Sequence, residues 1–332
     1  MRRNLNWAIF ASVAIFFFLL PDMLRAQLRL NTAYPAISGG MAAPWIAYEE
    51  GLFKKNGLDV SMGLIAGGAR VISAILAGDN PISLAGGDAL VQARLRGADL
   101  VSIADHAHTF VFSLMTTPNI KSPGDLRGKK LGILNFGGST DLALIKVLEH
   151  YKLRPAQDVT VLAIGGIPEI LASIQSGRID GGILSPPTSI RAKKLGLHEF
   201  LDLGTLQIPF QQTTLITTER YSRSNPEVVR AYVKSFVEAI HLGKTNKSLA
   251  KRVISKYTKV TDDEILEDTY QLFIVKYLKN APYPSEAAIK TVLDYVSEKD
   301  PKARTASPKD FVERRWVKDL DDSGYIGNLY KK

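Results

Sequence analysis

Short strand-like and helix-like segments alternate along most of this chain, and this alternation constrains its fold more than any other feature. Val, Ile and Leu cluster in short runs that are separated by glycine-bounded stretches with helical spacing. Parallel strands need a crossover connection, and helices of about ten residues between strands supply one. The sequence therefore predicts an α/β fold with a mostly parallel sheet. Strands are predicted at 28–33, 58–65, 81–85, 100–104, 110–116, 130–134, 159–164, 179–184 and 213–218.

The chain after residue 218 contains only helix signals. Val229, Val233, Phe236 and Ile240 recur at spacings of four, three and four, which is typical of one apolar helix face. Further helices are predicted at 248–257, 262–275 and 285–297. Because this region lacks a strand of its own, we expect its helices to pack on a sheet formed earlier in the chain.

The first 26 residues have the form of a secretory signal peptide. Arg2 and Arg3 precede an uncharged apolar run over 7–20, and Ala26 offers a small residue before Gln27. The run is shorter than the ~20 residues that span a bilayer as a helix. Cleavage after Ala26 and export to the periplasm are predicted, with an uncleaved membrane anchor as the alternative.

Composition excludes several classes of protein. Cysteine is absent, which excludes disulfides, thiolate metal sites, thiol nucleophiles and a lipid anchor on cysteine. The formal net charge of +9 would fall to +7 with the leader removed, and Lys and Arg are interspersed rather than gathered in a stripe. The sequence therefore predicts no nucleic-acid partner. At about 150 residues per domain, the 332 residues indicate two domains.

Small and hydroxyl residues recur where predicted strands give way to helices. In open α/β sheets ligands bind beyond the carboxyl ends of strands, where free helix N–H groups attract anions. The same residues also serve ordinary turns and caps, but five such junctions in one chain favour a binding cleft. The junction residues we select as ligand-binding are Ser38, Gly39, Gly68, Gly87, Asp88, Gly138, Ser139, Thr140, Ser185 and Thr188.

Four larger residues near these junctions complete the predicted site. Arg70 could clamp an anion with its guanidinium group, or could be an ordinary surface charge. Tyr34, Trp45 and Phe136 could stack on a solute, although as core aromatics they would need no further role.

Signatures of catalysis, nucleotide binding and metal binding are weak or missing in the sequence. Neither G-x-G-x-x-G nor G-x-x-x-x-G-K-[ST] occurs, and there is no G-x-S-x-G nucleophile elbow. His106 and His108 could face one side of a strand as metal ligands, but no third ligand is spaced nearby. We predict a protein that is not an enzyme, with no cofactor and no metal.

Four segments together resemble one known family. Residues 49–60 (EEGLFKKNGLDV), 125–132 (DLRGKKLG), 176–181 (SGRIDG) and 225–229 (NPEVV) are similar to motifs of NMT1/SsuA-like solute-binding proteins. These proteins serve nitrate, taurine and alkanesulfonate ABC importers. The similarity extends from about residue 28 to about residue 297, nearly all of the predicted mature chain.

The resemblance implies a type II periplasmic-binding-protein fold. Two α/β lobes would be joined by two crossover strands, within 110–117 and 213–218, with the C-terminal helices packed on lobe one. The implied division is lobe one at 27–115 and 213–332, and lobe two at 116–212. It also implies that Tyr34, Ser38, Gly68, Gly87–Asp88 and Gly138–Thr140 form the pocket.

The implied function is capture of a small polar, anionic organic solute outside the cytoplasm. A monomeric binding protein would deliver the solute to an ABC permease and its ATPase. Asp88 departs from this expectation, because a carboxylate in the cleft would repel an anion and favour a ligand with an amine or N–H group. If Asp88 only caps its helix, no such preference follows. A ligand-sensing module is the second hypothesis. A pyrimidine-metabolism enzyme on the same fold is the third, which the lack of cysteine disfavours.

Overall fold

The computed structural model describes residues 28–298 and 300–331. The predicted signal peptide at 1–26 lies outside the described residues. Within the described residues, no helix has the length and apolar character that crossing a membrane requires.

Ten strands form within the described residues, and most lie where alternating apolar residues predict them. The strands are β1 (Leu28–Tyr34), β2 (Leu58–Leu64), β3 (Ser83–Ala85), β4 (Leu100–Thr109), β5 (Ser113–Thr116), β6 (Lys130–Ile133), β7 (Thr160–Ala163), β8 (Gly181–Leu184), β9 (His198–Asp202) and β10 (Pro209–Thr218). Strand β9 has no counterpart in the sequence prediction, because its polar composition carries little alternation.

Helices fill the connections between these strands and dominate the chain after β10. They are α1 (Ala42–Glu49), α2 (Leu52–Lys55), α3 (Gly68–Ala77), α4 (Gly87–Leu95), α5 (Ser139–His150), α6 (Ile167–Gln175), α7 (Thr188–Lys194), α8 (Glu219–Ser224), α9 (Pro226–Thr245), α10 (Lys247–Thr258), α11 (Asp263–Tyr270), α12 (Glu286–Val296), α13 (Lys302–Thr305), α14 (Arg315–Asp322) and α15 (Tyr325–Leu329). Helix α11 continues into a π-helical segment at Gln271–Tyr277.

The strands of the described chain pair into three sheets. β1 and β2 are parallel, a second sheet has the order β3-β10-β4, and a third has the order β7-β6-β8-β5-β9. The sheets are mixed rather than mostly parallel, because β10 runs antiparallel to both its neighbours and β5 does the same. The chain enters the five-stranded sheet through β5 and returns to the β3-β10-β4 sheet through β10.

The chain passes between the β3-β10-β4 sheet and the five-stranded sheet twice. It leaves β4 at Thr109 and enters β5 at Ser113, then leaves β9 at Asp202 and returns through β10 from Pro209. Two stretches of chain therefore join the two sheets side by side. The lobe boundaries predicted from the sequence, 27–115, 116–212 and 213–332, stay a prediction.

The C-terminal helices pack on the elements around β1 rather than forming a layer of their own. The hydroxyls of Tyr232 in α9 and Thr32 in β1 are hydrogen-bonded at 2.8 Å, and both side chains are buried. The Asn56 amide at the end of α2 donates to Ser235 Oγ at 3.1 Å and to Glu238 Oε2 at 3.0 Å, both in α9. Polar pairs at this interface fix how α9 lies on the apolar core beneath it.

The five-stranded sheet is packed closely against α6. A Cβ atom added at Gly182 in β8 would overlap the Ile170 side chain of α6 and lie 2.9 Å from the Gly132 carbonyl oxygen of β6. Glycine at this position thus lets α6 pack closely on the sheet.

Replacing Tyr232 with Phe should lower the free energy of unfolding by about 1 to 3 kcal/mol. The change leaves the buried Thr32 hydroxyl without its partner, which is the costly case for a hydrogen bond. Chemical denaturation measures the change, with Tyr48→Phe as the control because Tyr48 is 41% exposed. Equal losses in both variants would contradict this account of how α9 is held.

Candidate functional site

A cavity lies between the two sheets where their loops face each other. It is partly open to solvent and has a volume of about 60 Å³. Since one water molecule needs about 10–15 Å³ of such space, the cavity has room for roughly four to six waters or one small solute. Its walls are formed by Pro35, Ala36, Ser38, Met41, Gly67, Gly68, Gly86, Asp88, Phe112, Leu134, Asn135, Gly138, Ser139, Thr140, Ile167, Ser185, Gln212 and Thr213.

The N-termini of three helices reach this cavity. Helices α3, α4 and α5 begin after Gly67, Gly86 and Gly138, and none of these N-cap residues has a side chain to cap the helix. Gly67 has a φ of 91°, a conformation that favours glycine. The start of a helix carries free N–H groups and a partial positive charge, so this wall can bind an anionic group.

Direct contacts between loops of the two sheets close one edge of the cavity. Ser185, after β8, donates its hydroxyl to Ser38 Oγ, after β1, at 3.0 Å. The Gly39 amide donates to the Pro186 carbonyl oxygen at 3.0 Å. Ser38 and Ser185 are both buried. Residues that are 147 positions apart in the chain thus seal one edge of the cavity.

Asp88 and Ser139 form a second contact across the cavity. The Ser139 hydroxyl of α5 donates to Asp88 Oδ1 of α4 at 2.5 Å. Asp88 is only 3% exposed, and it is the one charged residue among the described residues that line the cavity. Burial raises the pKa of Asp88 to about 6 from its usual 3.8, and the Ser139 hydrogen bond opposes this shift. The carboxylate therefore lies in a place where its ionisation is costly.

Contacts at the rim also join the elements of the two sheets. Lys194, at the end of α7, pairs with Asp262 at 2.9 Å and with Glu264 at 2.7 Å at the start of α11. Gln92 in α4 donates its side-chain amide to the Gly137 carbonyl oxygen at 2.6 Å. These groups are exposed, so each contact stabilises the closed arrangement only slightly. Their common effect is that the cleft is closed in this structure.

The floor of the cavity is formed where the chain passes between the sheets. The rings of Phe110 and Phe210 stack with centroids 4.0 Å apart and 9° between their planes. The Gln212 side-chain oxygen accepts a hydrogen bond from the Val111 amide, which leaves the Gln212 amide hydrogens as donors beside the cavity. The two joining stretches are thus packed on each other at the point where a hinge would bend.

Half of the residues predicted from the sequence line this cavity. The strand–helix junctions bring them together, because each junction ends at the same side of its sheet. They are Ser38, Gly68, Asp88, Gly138, Ser139, Thr140 and Ser185.

Two aromatic residues of the predicted site lie in the core instead. Trp45 has no exposed surface and stacks on Tyr257 with ring centroids 4.4 Å apart, and Tyr34 meets Trp45 edge-on at 5.4 Å. Helix α1 turns its Trp45 face towards α10, so this ring lies away from the cavity walls. The sequence pattern could not show whether these rings face the cavity or the core.

The remaining predicted residues lie beside the cavity rather than in its walls. Gly39 contributes a sealing amide, and Gly87 lies against Gln211. Arg70 is exposed on α3, Thr188 begins α7, and Phe136 is 62% exposed in a groove next to the cavity. The roles assigned to all fourteen residues remain predictions.

Sequence reasoning missed the residues of the joining stretches. Phe112, Gln212 and Thr213 reach the cavity because the chain crosses between the sheets there. The sequence around them is typical of an ordinary strand. Their position at the cavity therefore follows only from the order in which the strands pair. Asn135 was within reach of sequence reasoning, since it directly follows a predicted strand and precedes Gly137–Gly138.

His106 and His108 lie in β4 and point to different surroundings. Both ring nitrogens of His106 lack hydrogen-bond partners, and burial lowers the pKa of this side chain to about 3. His108 Nδ1 lies 2.9 Å from Asp105 Oδ2. In the described part of the chain, no group of three or more His, Asp or Glu side chains could hold a metal ion.

Two solved structures that superpose on this chain are binding proteins. The alkanesulfonate-binding protein SsuA from Xanthomonas axonopodis pv. citri, bound to MOPS, superposes with a TM-score of 0.71 and 16% identity, over 87% of this chain and 98% of that one. The periplasmic nitrate-binding protein NrtA from Synechocystis PCC 6803 gives 0.74 and 13%, over 92% and 91%. The chain therefore has the fold of periplasmic binding proteins, and the predicted type II fold class is confirmed.

The sequence places the chain within a family of this fold. The family model "NMT1/THI5 like" matches residues 40–245, and the chain belongs to this family. The taurine-binding periplasmic protein of Escherichia coli K12 is 26% identical over 189 residues, or 56% of this chain and 58% of that protein. The match thus spans a little over half the length of that relative.

Replacing Gly86 with Ala should disrupt the contact between Asp88 and Ser139 without unfolding the chain. The added Cβ would overlap Asp88 Oδ1 and Ser139 Oγ, whereas the backbone φ of −78° accepts alanine without strain. We expect solute affinity to fall at least tenfold, as measured by calorimetry. Gly63→Ala is the control, because no atom lies within 4 Å of its Cβ position. Unchanged affinity in Gly86→Ala would contradict the assignment of this contact.

Replacing Asp88 with Asn should stabilise the solute-free protein at pH 8 but not at pH 4. The pKa of Asp88 is higher folded than unfolded, so its ionisation opposes folding: the penalty is absent below about pH 4 and complete above about pH 6. A shift of about two pH units corresponds to at most about 3 kcal/mol. Melting temperatures across this range test the sign. An equal rise in melting temperature at both pH values would contradict a buried, ionisable Asp88.

Proposed function

We propose that the chain is an extracytoplasmic solute-binding protein of an ABC importer. It captures a small polar organic solute in the cavity between its two lobes and releases that solute to a membrane permease with its ATPase. The observation that carries the proposal is a cavity whose walls come from both sheets and whose two sides are joined by hydrogen bonds across the cleft. A closing cleft of this kind holds its ligand through contacts that exist only in the closed state.

The walls of the cavity favour a solute with an anionic group. Helices α3 and α5 direct their N-termini at the cavity, and the Thr140 hydroxyl and the Gln212 amide add donors there. The relatives and neighbours are consistent with this choice, since they are described as binding taurine, alkanesulfonates and nitrate. The volume of about 60 Å³ fits a small solute.

Binding without chemistry fits the same walls. The residues that line the cavity include no Cys, His or Lys, so the usual nucleophile–base pairs are missing among them. We propose that the solute leaves unaltered. The periplasm is the proposed location, in agreement with the relatives and with the predicted leader at 1–26.

A thermal-shift screen of the purified protein tests the function. Sulfonates, carboxylates, nitrate, ureides and pyrimidines are each added at millimolar concentration, and a ligand that binds the folded chain raises its melting temperature by mass action. We expect a shift of several degrees for at least one small anionic solute. Mass spectrometry of the released solute should give an unchanged mass.

Variants show whether the shift comes from the cavity. Ser139→Ala removes a hydroxyl from the wall and should reduce the shift, whereas Ser73→Ala changes an exposed serine of α3 and should not. No shift with any anion would contradict the anionic solute. A shift that both variants retain would contradict the cavity as its source, and an altered mass would contradict binding without chemistry.

A further inference from the structure

We propose that Phe273, in the π-helical segment at Gln271–Tyr277, is a positioning residue for solute capture. Phe273 is not among the described residues that line the cavity, and it acts through the loop at 38–40, on which it packs. The π-helical segment thereby couples the joint between the two sheets to one edge of the cleft. This inference rests on the proposed function, because it concerns how the same cavity closes on its solute.

The first observation is the close packing of Phe273 on the 38–40 loop. The Phe273 side chain is 0% exposed. A Cβ atom added at Gly39 would lie 2.6 Å from Phe273 Cδ2 and 2.6 Å from the Thr269 methyl carbon. One added at Gly40 would lie 3.2 Å from Phe273 Cε1. The two glycines thus let the backbone of the loop rest directly on the ring.

The same loop makes the contacts that close one edge of the cleft. Ser38 Oγ accepts the Ser185 hydroxyl at 3.0 Å, and the Gly39 amide donates to the Pro186 carbonyl oxygen at 3.0 Å. A displacement of the loop by about 1 Å would take both distances beyond hydrogen-bond range. The position that Phe273 gives the loop therefore decides whether this edge closes.

The π-helical segment also contacts both stretches of chain that join the sheets. Phe273 packs with Ala107 of β4 and with Val111 of the first stretch. At the second stretch, a Cβ atom added at Gly204 would lie 2.8 Å from the Tyr277 hydroxyl oxygen. Since packed side chains transmit displacements, a rotation at the joint alters the surface on which the 38–40 loop rests.

The backbone of the segment departs from the helix that precedes it. Helix α11 ends at Tyr270, and residues 271–277 continue it with π-helical hydrogen bonds. π-helical turns are rare and frequently occur at functional sites. The wider turns change the directions of Phe273 and Tyr277 from those in a continued α-helix. This change allows one short segment to contact the loop and both joining stretches.

Amide hydrogen exchange of the solute-free protein tests the positioning role. The Gly39 amide is protected by Pro186 only while the edge is closed, so its exchange rate reports this contact. Phe273→Leu removes the ring and should speed that exchange at least tenfold. Phe53→Leu is the matched control, because Phe53 is 2% exposed and packs on Tyr232. It should destabilise the core without a tenfold effect at Gly39.

A change of side-chain size assigns the effect to the contact itself. Gly39→Ala combined with Thr269→Ser places a methyl group against the Phe273 ring, and the serine keeps the hydroxyl that donates to the Ile265 carbonyl oxygen at 2.7 Å. Gly39 has no positive φ, so its backbone accepts alanine. In this background Phe273→Leu makes room and should slow the exchange at residue 39. The same substitution then has opposite effects in the two backgrounds.

Calorimetry measures the consequence for solute capture. The probe is ethanesulfonate, propanoate or nitrate, whichever gives the largest thermal shift with the unsubstituted protein. Phe273→Leu should weaken its binding at least tenfold, because the closed state loses the contacts of one edge, and Phe53→Leu should not. Both variants are compared at a temperature where each is folded.

The outcomes separate this inference from the proposed function. Equal exchange at Gly39 in Phe273→Leu and Phe53→Leu, rapid exchange at Gly39 in the unsubstituted protein, or effects of one sign in both backgrounds would overturn the role of Phe273. Unchanged affinity in Phe273→Leu would overturn its link to capture and leave solute binding intact. If none of the three probes binds, the anionic solute is overturned, and the exchange rates alone decide whether Phe273 positions the loop.

Discussion

The antiparallel pairing of β4 with β10 is the constraint on which the rest of the structure depends. These two strands lie side by side in one sheet, and their continuations carry the chain into the other sheet and back. The stacked Phe110 and Phe210 rings hold the two continuations together. Because the chain passes between the sheets at this edge, their loops face each other across a cleft, and the proposed opening and closing would be a rotation at this joint.

The cleft gathers opposite kinds of polarity from chain segments that are far apart in sequence. Uncapped starts of α3 and α5 supply positive potential, while Asp88 supplies a buried negative charge whose hydrogen-bond donor comes from the opposite side. Closure therefore brings together helix starts with free N–H groups and a carboxylate that accepts the Asp88 and Ala89 backbone amides and the Ser139 hydroxyl.

Much of the fold follows from local sequence, and less of the site does. Alternating apolar residues predicted most strands, and the spacing of apolar residues over 229–240 predicted α9. Both predictions succeed because an element that buries one face has apolar residues at regular intervals. The strand–helix junctions located Ser38, Gly68, Asp88 and Ser139, since helices start at a sheet's ligand-binding edge whatever the topology. The direction of Trp45 and the contribution of Gln212 depend on how distant segments pack, which no local pattern records. Strands were predicted at 110–116 and 213–218, but the antiparallel direction of β5 and β10 was missed for the same reason.

The central claim is that a solute is held between the two lobes by the walls of this cavity. A crystal structure of the protein with the solute that gives the largest thermal shift tests it most directly. The account predicts a solute enclosed between the starts of α3 and α5, with Asp88 and Ser139 within hydrogen-bond distance of it. A solute bound elsewhere on the protein, or one that touches residues of a single lobe only, would contradict the account.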